Sequence, residues 1–134
     1  MLRRKAFRLP HHPASVGVAR LRVRDHLTVW GRDPDILESV LLIVSELVTN
    51  AVRHGPVPAR DFEVAVTALA DGSCVVEVSD SEQNPPVLRD PKEADESGRG
   101  LRLVEALADT WGVRHRGRYG KTVWAVLGAP VEGG

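Results

Sequence analysis

Glu46, Asn50, Arg53 and His54 fall within one short stretch of a 134-residue chain. An acid, an amide, a guanidinium and an imidazole at these spacings form a line only if the stretch is helical. At about 100° per residue, Asn50 then lies about 40° from Glu46, His54 about 80°, and Arg53 about 20° to the other side. Leu37, Val40, Val44, Leu47, Val48 and Ala51 fall together on a separate arc, the face expected to pack on a sheet. Ser45, Thr49 and Glu38 are left for solvent. Glu46 and Asn50 therefore sit at the border between core and water. A carboxylate there can take a proton or orient a water, and a carboxamide can offer one oxygen to a hard cation. The same spacing also suits an ordinary hydrogen bond on a helix surface, and both readings stay open on spacing alone.

Two further groups have chemical potential. Gly98-Arg99-Gly100-Leu101 places a glycine pair ahead of an apolar helical stretch, where unpaired backbone N–H groups can meet an anion. Glycines before helices also serve turns, so this signal is weak by itself. Asp80 ends a run containing Val76 and Val78, and a carboxylate at a strand end can accept from an exocyclic amine or serve as a turn residue.

The elements that must position these groups can be read from pattern. Ala6 to Leu9 suits a short edge strand, broken by Pro10 and Pro13. A helix is expected from about Ala14 to Trp30, with Val16, Ala19, Val23, Leu27 and Trp30 on its apolar face. Asp33-Pro34 is a helix-start signal, and the second helix runs to about Arg53. Asp61 to Ala70 and Ser73 to Ser79 read as strands joined by Asp71-Gly72, a hairpin signal. Residues 81–97 contain three prolines and five acids with little that could pack, which suggests a functional lid. A third helix is expected over about Leu101 to Thr110, then strands near Val113 to Arg116 and Lys121 to Leu127. Grouped hairpins and helices predict an α+β two-layer sandwich, a mainly antiparallel mixed sheet with helices on one face.

Composition narrows the classes. Lys and Arg number 18 against 18 Asp and Glu, so the net charge is zero and a supercharged nucleic-acid or membrane binder is excluded. The length fits a single domain spanning 1–134. Residues 1–32 hold eight Lys/Arg against Asp25 alone, a basic face without interleaved aromatics, which favours a solvated face or an acidic protein partner over direct nucleic-acid contact. No run approaches the roughly 20 apolar residues of a membrane helix, so a cytoplasmic protein without membrane contact is expected. Cys74 stands alone and is expected to pack. Trp30, Trp111 and Trp124 occupy apolar pattern positions and are read as core or partner surface.

Taken in order, Glu46 to Gly55, Asp80, Gly98 to Val104 and Gly120-Lys121-Thr122-Val123-Trp124 resemble the GHKL ATPase/kinase superfamily. The likeness is nearest to the stand-alone anti-sigma-factor serine/threonine kinases of actinobacteria, and it covers roughly residues 10–128. It implies a Bergerat-type fold in which ATP lies between the helical layer and a mobile lid. It further implies Asn50 as the Mg²⁺ ligand, Glu46 as the catalytic carboxylate and Asp80 as the reader of adenine. Gly98 and Gly100 are implied as phosphate-loop glycines ahead of Leu101, Arg99 as a phosphate contact, and Thr122 as support for the adenine end. Arg53 and His54 are carried along as nucleotide-site residues; for His54 a structural hydrogen bond is an equal reading.

The implied partners are a sigma factor and a small antagonist protein that is phosphorylated, with room for a homodimer. Many relatives carry Asp-x-Gly-x-Gly after the adenine strand, whereas this chain reads Asp80-Ser81-Glu82-Gln83-Asn84 and has neither glycine. That departure motivates the alternative, a non-catalytic partner-switching module with the same fold and weak or no nucleotide binding.

Overall fold

The computed structural model describes residues 2–54, 61–81, 101–116 and 120–128. The expected lid (81–97) lies outside the described residues apart from Ser81, as do Gly98, Arg99 and Gly100.

The chain opens with strand β1 (Arg3–Leu9), followed by helix α1 (Ala14–Val29) and helix α2 (Pro34–His54). A hairpin of β2 (Phe62–Ala68) and β3 (Cys74–Ser81) comes next, then α3 (Arg102–Leu107), β4 (Thr110–Arg116) and β5 (Gly120–Leu127). The five strands form one sheet in the order β1-β2-β3-β5-β4, with every pairing antiparallel. Helices cover one face of it. The α+β sandwich expected from the sequence is the fold observed.

Local chemistry accounts for the boundaries. Asp33 caps α2, its Oδ1 accepting from the Asp35 amide at 2.8 Å, and Pro34 takes the first helical position, where a missing N–H removes no bond. Gly31, at φ 73°, separates α1 from α2 in a conformation that favours glycine. In the β2–β3 hairpin the Gly72 amide donates to the Leu69 carbonyl at 3.1 Å and the Leu69 amide to the Ser73 carbonyl at 2.9 Å. Gly72 has φ 97°, so the loop is a turn followed by a left-handed glycine rather than a bare two-residue turn.

The core lies between the layers. From α1 it takes Ala19, Val23 and Leu27; from α2, Val40, Ile43, Val44, Leu47 and Val48. The sheet supplies Leu9, Phe62, Val64, Val66, Cys74, Val76, Val78, Ala125 and Leu127. Leu41 and Ile43 widen the buried arc of α2 beyond the predicted stripe, because the helix packs against α1 as well as the sheet. Cys74 is fully buried, as expected of a packing residue, and burial pushes its thiol pKa up.

One boundary is corrected. The third helix was expected to reach Thr110, yet it stops at Leu107, and Thr110 already pairs with Val126 as the first residue of β4. Ladder pairing along β5 outcompetes a further helical turn: the Asp109 amide donates to the Val126 carbonyl at 2.8 Å.

Candidate functional site

Asp80 is the penultimate residue of β3. Alternation from Val76 and Val78 turns its side chain toward the helical layer. Its carboxylate is only 6% exposed, and its Oδ1 lies 3.1 Å from Nε2 of His11, whose side chain is 7% exposed. A buried carboxylate needs donors, and His11 supplies one.

His11 reaches this place through the turn between β1 and α1. The Pro10 carbonyl accepts from the His12 amide at 2.8 Å and from Ser15 Oγ at 2.7 Å, and His12 Nδ1 accepts from the Ala14 amide at 3.0 Å. With the turn so fixed, the His11 ring tilts against Phe62, centroids 5.2 Å apart. Sequence reading passed over this histidine because its partner is 69 positions away. The only local signal was the pair of prolines that bracket it.

The cross-strand neighbour of Asp80 is Lys121, while Thr122 pairs with Ser79. Side chains directly opposite each other share a face, so Thr122 points to the side of the sheet away from Asp80. There its Oγ1 lies 2.7 Å from Ser79 Oγ. Thr122 is thus close to Asp80 along the chain ladder but not on its face.

A cavity of about 390 Å³ opens at this end of the sheet. Arg8 and Lys121 line it together with Asp61, Glu63 and Asp80, and Ser79 and Gly120 complete it. Both signs of charge meet there, so it suits a polar ligand rather than an apolar one. Neither Glu46 nor Asn50 lines it.

Glu46 and Asn50 stand one turn apart on α2, both half-buried as the border position requires. Neither makes a hydrogen bond or ion pair among the described residues. Arg53 is exposed at the end of the helix, and the His54 side chain lies outside what is described. Leu101 is half-buried against the core and opens α3, its carbonyl accepting from the Glu105 amide at 2.9 Å.

No group of three or more His, Cys, Asp or Glu able to hold a metal occurs among the described residues. A magnesium ion that keeps its waters and takes phosphate oxygens would need only one protein oxygen, of the kind the Asn50 carboxamide offers.

A two-layer sandwich with a half-buried carboxylate and carboxamide on α2, unpartnered among the described residues, and a buried aspartate one residue from the end of its middle strand suits a class of ligand-binding α+β domains. Residues 9–127 match the histidine kinase-like ATPase domain, and the chain belongs to that family. The family implies ATP binding. An uncharacterized protein of Streptomyces coelicolor is 40% identical over 76 residues, 55% of this chain and 71% of that one. Among solved structures, the RsbU and RsbW domains of Rv1364c from Mycobacterium tuberculosis align with a TM-score of 0.70 at 25% identity over 93% of this chain. This chain spans about a third (32%) of that one. The SiaB–SiaC complex from Pseudomonas aeruginosa aligns with a TM-score of 0.65 at 15% identity, covering 92% of this chain and 88% of that one, a likeness of fold. The resemblance to GHKL anti-sigma-factor kinase-like proteins read from the sequence therefore holds.

Proposed function

We propose that this protein is an ATP- and Mg²⁺-dependent serine/threonine protein kinase of the anti-sigma-factor type, which phosphorylates a small antagonist protein and controls a sigma factor. The observation that carries the reading is the pair Glu46 and Asn50 on the border of α2, unpartnered among the described residues. A half-buried carboxylate with no partner among the described residues can accept the proton of an attacking serine hydroxyl while ADP departs. Asn50 holds the magnesium, which offsets phosphate charge. Asp80 receives the adenine amine.

The partner side of the proposal rests on α1, where Leu21 and Val29 are 57% and 78% exposed beside Arg20 and Arg24. An apolar and basic helix face suits an acidic protein surface. No described helix is long and apolar enough to cross a membrane, and a cytoplasmic site of action belongs to the same proposal. The decisive experiment incubates the protein with labelled ATP, Mg²⁺ and candidate antagonist domains. Labelling of a serine or threonine that disappears in Glu46→Ala is expected; labelling that persists at the wild-type rate ends the kinase assignment.

A second reading has one observation in its favour. His11 already occupies one oxygen of Asp80, as in a module that exchanges partners without a nucleotide. Calorimetry with ATP and Mg²⁺ separates the two, since a protein that takes up no nucleotide is not the kinase.

A further inference from the structure

We infer that His11 is a positioning residue for base recognition: it fixes the Asp80 carboxylate so that the site takes a nucleobase bearing an exocyclic amine and rejects one bearing a carbonyl there. This inference rests on the nucleotide-binding reading above.

His11 and Asp80 are each more than nine-tenths buried in their side chains and joined at 3.1 Å. Donation to a carboxylate places the imidazole hydrogen on Nε2. The other ring nitrogen, Nδ1, is wholly buried and has no partner among the described residues. Burying an imidazole with an orphaned nitrogen costs free energy, so core packing alone gives no reason for a histidine here. Phe62 next to it is fully buried in the apolar cluster, and an aliphatic side chain would fill such a place without that cost. What histidine adds is the bond to Asp80.

That bond has a chemical consequence. With Oδ1 engaged, the carboxylate is held in one orientation, and its other oxygen, which has no partner among the described residues, stays a pure acceptor. An exocyclic amine gives that oxygen an N–H. A carbonyl at the same place would oppose two acceptors and leave both unsatisfied, the kind of mismatch that gives strong discrimination. Without His11, the carboxylate can turn, admit water between itself and the ligand, and lose that discrimination while the fold persists.

The experiment measures ATP and GTP binding, each with Mg²⁺, by titration calorimetry on wild type, His11→Ala and His11→Gln, with circular dichroism confirming that each variant is folded. Gln can place an amide N–H near the position of Nε2. Wild type is expected to prefer ATP by about 100-fold or more. His11→Ala should weaken ATP binding about tenfold and narrow the preference to about tenfold or less, while His11→Gln should restore most of both. Restoration by Gln marks an effect on the carboxylate rather than on packing. If His11→Ala binds ATP more tightly, the ring is a plug that nucleotide displaces, and the inference is overturned. An unchanged ATP/GTP ratio in His11→Ala overturns it too, leaving nucleotide binding intact. Wild type that binds neither nucleotide removes the underlying reading and this inference together.

Discussion

Thr122 faces Ser79 across the β3–β5 ladder with their hydroxyl oxygens 2.7 Å apart, one residue out of step with Asp80 and on the other side of the sheet. A role for Thr122 at the base site therefore has to pass through Ser79. Thr122→Val is expected to lower unfolding free energy by about 1 kcal/mol, the usual net value of such a bond, with ATP affinity changed by about twofold at most. Asp80→Asn should weaken ATP at least about tenfold, because it removes the charge of the acceptor. Denaturant melts and calorimetry on the two variants measure both quantities. Equal losses of affinity would mean that the threonine reaches the ligand despite its register.

The two α2 residues are expected to separate binding from chemistry. Asn50→Ala should abolish the gain in ATP affinity that Mg²⁺ provides, because no group of three or more His, Cys, Asp or Glu able to hold the ion in its place occurs among the described residues. Glu46→Gln keeps shape and half-burial while removing the proton acceptor, so nucleotide binding should persist and phosphoryl transfer fall by about 10²-fold or more. Calorimetry with and without Mg²⁺, set beside single-turnover transfer assays, reads the two effects. Loss of metal dependence in Glu46→Gln and not in Asn50→Ala would exchange the assigned roles.

Much of this arrangement is visible in the sequence, for reasons that are local. Asp33 before Pro34 determines where α2 begins, and apolar spacing then decides which side chains it buries, which leaves Glu46 and Asn50 at the border. Asp71-Gly72 predicts the β2–β3 hairpin because glycine there adopts a left-handed conformation. The misread end of α3 and the face of Thr122 both depend on how β4 and β5 register with their neighbours, which no local window contains. His11 is the extreme case. Its chemistry comes wholly from Asp80, a residue on the far side of two helices and a hairpin in chain order.

Gly112 is a test of the outer sheet face. A Cβ built there would lie 2.8 Å from Cζ2 of Trp124, its cross-strand partner, and 3.0 Å from Cε2. The indole rests directly on the glycine. Gly112→Ala should destabilise by about 1–3 kcal/mol through overpacking, and Gly112→Val by more. Trp124→Leu in the Gly112→Ala background should recover part of the loss, since it vacates the contacted space. Thermal melts on the three variants decide this; a melting point unchanged in Gly112→Ala would show that the indole moves aside freely.

The pH dependence of stability should carry a mark of the hairpin turn. Asp71 Oδ1 accepts from Ser73 Oγ at 2.6 Å and from the Ser73 amide at 2.9 Å. The hydroxyl bond first, and the amide bond second, hold the Asp71 carboxyl below its ordinary value of 3.8. A carboxyl depressed in the folded state binds its proton more readily when unfolded, so its contribution is complete above the ordinary value and disappears as pH falls through the lowered folded one. Asp71→Asn removes that titration. Urea midpoints of wild type and Asp71→Asn, followed from about pH 6 down to about pH 2.5, should differ at the upper end and converge at the lower. Because Asp71 is fully exposed, solvent screening keeps the difference small. Ser73→Ala should reproduce most of the flattening, as it removes the larger of the two causes. Parallel curves across the whole range would mean that these side-chain bonds do not outlast the folded state's fluctuations and that the turn is held by Gly72 and its backbone hydrogen bonds.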